Sequence, residues 1–185
     1  TQQAKETGDY SLTFKIQAYM VCCKNPQYSY RAVSFVFKRC QLLYDIANYA
    51  FVEGDVMPAK EEHERHQVFD VIQSGNSDIV TRILNLAHTE VIEALYPYTK
   101  KPVEDGEVFD NKLREPEEYV VELRVPKTFS RTSLDYLRWL IHEYLVCHVL
   151  YEWMGLTNLN NPTSKQNWQE KIEDLKNKMK TAIVW

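Results

Sequence analysis

Two histidines and a glutamate lie close together in the most apolar part of the sequence, where they could bind a metal ion. They are His142 and Glu143, followed by His148. A zinc-binding helix of the HExxH type needs its histidines four residues apart, because only that spacing puts both rings on one helical face. His142 and His148 are six residues apart, so their rings point about a third of a turn away from each other. This group therefore does not match the zinc motif.

A second group with metal-binding side chains precedes it in the chain. His63 and His66 are three residues apart and Asp70 follows four residues later, so all three can lie on one helical face. Such a trio can reach one ion, although neither spacing matches a named metal motif. We expect no metal and no cofactor. A small metal-dependent hydrolase that uses this trio with His142 or His148 is the weaker alternative.

A nucleophilic catalytic site is supported no better than a metal site. Cys147 directly precedes His148, and adjacent helical positions point about 100° apart, so this histidine cannot activate the thiol. The five glycines do not cluster into a phosphate-binding loop. The carboxylates of residues 104–118 lie in a polar stretch where their proton affinity stays ordinary. We expect no catalytic residues, and the protein is predicted not to be an enzyme.

The composition argues against a nucleic-acid partner and suits contacts with other proteins. The net charge of −4 is spread along the chain without a basic run, which argues against sequence-specific nucleic-acid binding. The polar first ten residues carry no secretion signal, so the four cysteines are expected to be reduced thiols. The 12 tyrosines and 4 tryptophans suit large contacts between rigid aromatic surfaces.

The stretch 131–155 is predicted to be the central helix. Ser133 is a good N-cap, and Gly155 is placed to end the helix. Polar side chains occupy only a narrow stripe, so the helix must be covered on several sides by its own domain or by neighbouring subunits. Its charged residues disfavour a membrane-spanning interpretation, and no membrane partner is expected.

Two strands are predicted from strict alternation of apolar and polar residues, one near 10–22 and one near 118–125. Residues 28–37 leave two structures open, a return strand in a hairpin or the start of a helix. We favour a helix for at least residues 38–52, ended by Gly54.

Three more helices are predicted over residues 61–73, from Ser77 to just before Pro97, and over 163–180. The fold class is therefore mainly α, a helical bundle with a small antiparallel β element. Residues 1–27 are predicted as an N-terminal arm and strand. Residues 28–185 form the helical domain, which includes an acidic loop at 100–118.

The order of parts resembles that of a known class of virion protein. A helical half precedes the strand Glu118-Tyr-Val-Val-Glu-Leu-Arg-Val-Pro126. An aromatic-rich helix with Leu140-Ile-His-Glu-Tyr-Leu-Val146 and Tyr151-Glu-Trp-Met154 follows, then a turn ending in Asn161-Pro162 and a helix over 168–180. This order is similar to small virion proteins of phages and prophages of Bacteroidetes, and to the helical head–tail connector (adaptor or neck) proteins of tailed bacteriophages.

The resemblance implies a structural virion protein that is assembled in the host bacterial cytoplasm. Its copies would form a homo-oligomeric ring of about twelve subunits at the portal or neck. The ring would join the capsid to the tail and contact the portal protein and other neck or tail proteins. Genomic DNA would pass through its channel without sequence-specific binding. The helical domain 28–185 would be the connector domain.

Exposed aromatic and apolar side chains of the central helix and the chain's C-terminal end are the expected assembly interface. The apolar end is equally compatible with packing on its own domain. A bacterial helical protein-interaction module, monomeric or dimeric, is the other alternative function. The predicted interface residues are Tyr136, Trp139, Tyr144, Tyr151, Trp153, Ile183, Val184 and Trp185.

Overall fold

The computed structural model describes residues 29–57, 62–157 and 162–183. Over these ranges the protein has five α-helices and one two-stranded antiparallel sheet, which confirms the mainly α class with a small β element. The elements, in chain order, are β1 (Tyr30–Lys38), α1 (Arg39–Val56), α2 (Glu62–Phe69), α3 (Ser77–Ala94), β2 (Glu118–Pro126), α4 (Arg131–Thr157) and α5 (Pro162–Ile183). Two short 3-10 turns, Asp70–Ile72 and Ser74–Asn76, join α2 to α3.

The sheet pairs β1 with β2 in a register that runs from Tyr30 opposite Pro126 to Lys38 opposite Glu118. Alternate side chains of each strand enter the core, because successive residues of a strand point to opposite faces. The strand predicted near 10–22 lies outside the described residues. The observed partner of β2 is β1. It covers most of residues 28–37, for which the sequence left both a strand and a helix possible, and α1 follows it directly.

Helix α4 is the centre of the bundle and packs against α1, α3 and α5. It begins at Arg131, two residues before the predicted cap, and thirteen of its 27 residues are buried. Its own domain therefore covers most of the apolar side chains of this helix. Helix α5 covers one side of α4. Its buried apolar residues recur at three- and four-residue spacing, as expected of an amphipathic helix, and they are Trp168, Ile172, Leu175 and Met179.

Two glycines that were predicted to end helices lie inside them, and this prediction is wrong. Gly54 belongs to α1, and a Cβ atom there would overlap the Phe69 ring of α2. Gly155 belongs to α4, and a Cβ atom there would lie 2.8 Å from Nζ of Lys165 in α5. Gly54 allows a close approach between two helices, which is another reason for glycine besides helix termination, whereas at Gly155 the overlap is only with the mobile end of a lysine side chain.

The segment between α3 and β2 is the longest connection described. Residues 100–117 form no helix or strand, which agrees with the irregular acidic loop predicted there. None of the helices in the described ranges combines the length and the apolar run needed to cross a membrane.

Candidate functional site

The two histidines of the central helix face different neighbours. Nε2 of His142 lies 2.8 Å from Oδ2 of Asp45 on α1. Nδ1 of His148 lies 3.8 Å from Oε2 of Glu90 on α3. Their separation follows from the six-residue spacing, which turns the two rings toward different helices.

The second predicted metal group lies only partly in the described region. The side chain of His63 falls outside it, while His66 is exposed and meets the edge of the Phe69 ring at a centroid distance of 6.4 Å. Asp70 lies in the 3-10 turn after α2 and contacts the Gln73 amide. Among described side chains, no three His, Cys, Asp or Glu residues come close enough together to hold a metal ion.

Cys147 contacts a carboxylate and not the neighbouring histidine. Its Sγ lies 3.8 Å from Oε1 of Glu143. Burial raises the pKa of the Cys147 thiol to about 12, and the negative charge of Glu143 adds to this effect. The thiol therefore stays protonated at neutral pH, where a nucleophilic cysteine needs its thiolate form.

A polar cluster that the sequence did not predict links α1, α4 and α5. Oε1 of Glu143 accepts hydrogen bonds from the Tyr49 hydroxyl at 2.8 Å and from Nζ of Lys171 at 2.7 Å. The same ammonium group lies 4.9 Å from the centroid of the Tyr49 ring and 5.2 Å from that of Trp168. We call Tyr49, Glu143, Lys171 and Trp168 the three-helix cluster.

The charges of the three-helix cluster stabilise each other. Burial alone would raise the pKa of Glu143, but hydrogen bonds from Lys171 and Tyr49 outweigh burial and bring this pKa below its usual value. For Lys171, burial favours a lower pKa, and the contact with Glu143 raises it above the usual value. A general acid or base that works near neutral pH needs shifts of the opposite sign. The cluster therefore has the chemistry of a structural ion pair.

A second polar group lies between α3 and α4. The Tyr144 hydroxyl donates a hydrogen bond of 2.6 Å to Glu90, and burial together with this carboxylate raises the pKa of Tyr144. His148 packs beside Tyr144, and burial lowers the pKa of this histidine against the opposing effect of Glu90. Neither ring nitrogen of His148 has a hydrogen-bond partner among the described residues. A buried, neutral histidine with this environment fills space in the core.

The structure corrects three of the predicted interface residues. Tyr144, Trp153 and Ile183 are buried within their own subunit, so they are not available to another chain. Trp153 donates a hydrogen bond from Nε1 to the backbone oxygen of Val68, at 3.3 Å. These side chains were predicted from their apolar character, which suits a core as well as an interface.

Two of the predicted interface residues are exposed on α4. Tyr136 is 50% exposed and Trp139 is 59% exposed. Tyr151 is half-buried, with Nζ of Lys165 at 5.1 Å from its ring centroid. Val184 and Trp185 lie outside the described residues.

An open groove of about 640 Å³ lies between the start of α1 and the segment before β2. Its lining mixes both signs of charge, including Lys38, Arg39 and Glu118. The Arg39 guanidinium is already bound, at 2.7 Å, to the Glu115 carboxylate and, at 3.0 Å, to the Thr81 hydroxyl. The Arg39 guanidinium is therefore engaged within the subunit and is not free to select a ligand.

Apolar side chains in the acidic loop are the exposed feature that the prediction missed. Val108 and Phe109 lie there among carboxylates. An aromatic residue in an otherwise charged loop was the available signal, since such a residue gains nothing from a solvated position.

Comparison of the chain with protein-family models, with curated proteins and with solved structures found no match.

Proposed function

We propose that this chain is a structural subunit of a protein assembly. The observation that carries the proposal is the exposure of Tyr136 and Trp139 on a helix whose other apolar side chains, apart from Leu156, are wholly or partly covered by its own domain. Large aromatic side chains are enriched in protein interfaces because they bury much surface at a small cost in conformational entropy. The ionisable groups inside the bundle hold helices together and are not arranged for proton transfer.

The specific assembly that we propose is the ring at the portal or neck of a tailed bacteriophage, located in the virion. This part of the proposal comes from the resemblance in the order of elements, from the strand Glu118–Pro126 through the central helix to the terminal helix. In such a ring of about twelve copies, neighbouring subunits would cover each other's apolar surface. The ring would join capsid to tail and line the DNA exit channel.

The acidic loop suits a channel through which DNA moves. Residues 104–118 contain seven carboxylates and only two basic side chains. Such a surface repels phosphates, so DNA can slide past it without being held. We therefore expect no measurable binding of duplex DNA at physiological salt.

Native mass spectrometry and negative-stain electron microscopy test this proposal. The purified chain is measured over a range of concentrations, alone and with a portal protein of a tailed bacteriophage. We expect ring-shaped particles of about twelve copies, or assembly of such rings on the portal. A chain that stays monomeric or dimeric in both experiments contradicts the proposal and favours the helical interaction module. Stoichiometric zinc or iron in the purified protein would favour the metal-dependent hydrolase.

A further inference from the structure

The acidic loop presents apolar side chains that pack on nothing in the described structure. Val103 is 76% exposed, and Val108 and Phe109 are each 81% exposed. Four carboxylates surround them, at Glu104, Asp105, Glu107 and Asp110. We call residues 103–110 the acidic tip. Exposed apolar groups of this size inside a charged rim are the usual composition of a contact surface.

Both ends of the loop are fixed to the body of the subunit. At the first end, Tyr98 accepts a backbone hydrogen bond of 2.8 Å from Arg124 on β2. At the second end, the Arg114 carbonyl accepts a 2.9 Å bond from the Asn85 side chain on α3. Glu115 follows, in its ion pair with Arg39. A tip held in this way loses less conformational entropy on binding than a free chain would.

A second exposed surface has the opposite character. Tyr136 and Trp139 lie three residues apart on α4 with Arg138 beside Trp139, and we call Tyr136, Arg138 and Trp139 the aromatic patch. The Arg138 guanidinium carbon lies 4.6 Å from the centroid of the Trp139 ring. No carboxylate in the described ranges forms an ion pair with Arg138.

We infer that the acidic tip of one copy docks on the aromatic patch of the next copy, an inference that rests on the proposed assembly function. Val108 and Phe109 would pack against Tyr136 and Trp139, and carboxylates of the tip would meet Arg138. Phe, Tyr and Trp side chains bury about 150–250 Å² each. Scaled by their exposed fractions, Phe109 on one partner and Tyr136 and Trp139 on the other supply roughly 300–500 Å², about a fifth to a third of the roughly 1,600 Å² that a stable interface buries in total.

The two surfaces are held by different parts of the fold. The tip is tied to α3 and β2 through Asn85 and Arg124. The patch lies on α4 beside α1, because Trp139 contacts His142, which is bound to Asp45. A contact between two different surfaces of identical subunits is heterologous, and it generates closed rings when the rotation between neighbours closes. The inference thus explains how one kind of contact could build a ring.

Two single variants and their mixture test the contact. Phe109→Ser removes the tip's aromatic anchor, and Trp139→Ser removes that of the patch. Leu156→Ser is the control, because Leu156 lies on the same helix near its other end and is 57% exposed. Native mass spectrometry of the full chain measures the oligomers across a concentration series. Each test variant should need at least about tenfold more protein for half-assembly, and the control should match the wild type.

The mixture gives the sharper result. Trp139→Ser keeps an intact tip and Phe109→Ser keeps an intact patch, so one of each can form a single good contact. At a concentration where the wild type is half-assembled, we expect the equimolar mixture to give heterodimers that do not grow, while each variant alone stays largely monomeric. If the wild type assembles and both variants assemble equally well, the contact is wrong and the assembly function stands. A wild-type chain that never assembles overturns the assembly function, and the inference with it.

Discussion

Lys171→Met should destabilise the protein more than the loss of an ordinary surface ion pair. The Lys171 ammonium donates to Oε1 of Glu143, and the two side chains are only 38% and 30% exposed. Fully exposed pairs contribute about 0.2–1 kcal/mol, while breaking a buried pair costs about 3–5 kcal/mol. The Glu143–Lys171 pair is partly buried, so Lys171→Met should lower the free energy of unfolding by about 1–2 kcal/mol. The loss stays below that of a fully buried pair because Glu143 keeps its hydrogen bond from Tyr49. In a chain of this length, that loss lowers the Tm by about 3–6 °C.

The dependence of this loss on pH has a defined sign. The pKa of Glu143 in the folded protein is below its usual value of 4.5, so its contribution is present above that pH and is lost as the pH falls through the folded pKa. The pKa of Lys171 is raised above 10.5, so its contribution is present below that pH and is lost at more alkaline pH. The difference between wild type and variant should therefore be constant from about pH 5 to pH 10 and shrink in acid.

Urea denaturation followed by circular dichroism measures both effects. Lys178→Met is the matched control, because Lys178 on the same helix forms its ion pair with Asp174 at half-exposed positions and should contribute little. The double variant Glu143→Leu with Lys171→Met should lose less stability than the two single variants combined, because no unpaired charge remains. A Lys171→Met protein as stable as the control, or strictly additive losses in the double variant, would refute the ion-pair interpretation.

Two other predictions concern the core. His148→Phe should raise the stability by about 1 kcal/mol, because it removes two buried ring nitrogens that lack partners in the described structure. Since burial holds the pKa of His148 below 6.5, the gain should grow as the pH falls below that value; a thermal-denaturation series that shows no gain at pH 5.5 would contradict this. At neutral pH, iodoacetamide should modify the exposed Cys40 and leave the protonated, buried Cys147 intact, as peptide mass mapping would show; equal labelling would contradict the high pKa of Cys147.

Elements with a strong local pattern were predictable from the sequence. The stripe of α5 repeats at three- and four-residue intervals from Trp168 to Met179, and the alternation of β2 leaves no other regular structure. The predicted start of α1 was also nearly correct, since the helix was expected from residue 38 and begins at Arg39.

Features decided by distant residues were not predictable in the same way. Residues 30–38 are a strand because they pair with β2 across about ninety residues of chain, and no local pattern indicates that partner. The sequence context of Gly54 suits a helix end as well as a packing site, and only the position of Phe69 decides between the two. The sequence around Lys171 does not indicate its carboxylate partner, because Glu143 belongs to another helix.

The same long-range pairing has a consequence for biosynthesis. Strand β1 leaves the ribosome well before β2, and at typical rates of about 5–20 residues per second the interval is roughly 5–20 s. During that time the nascent chain carries Phe35 and Phe37 on a strand without its hydrogen-bonding partner. High expression should therefore favour aggregation of incomplete chains, and slower translation or added chaperones should increase the yield of folded subunit.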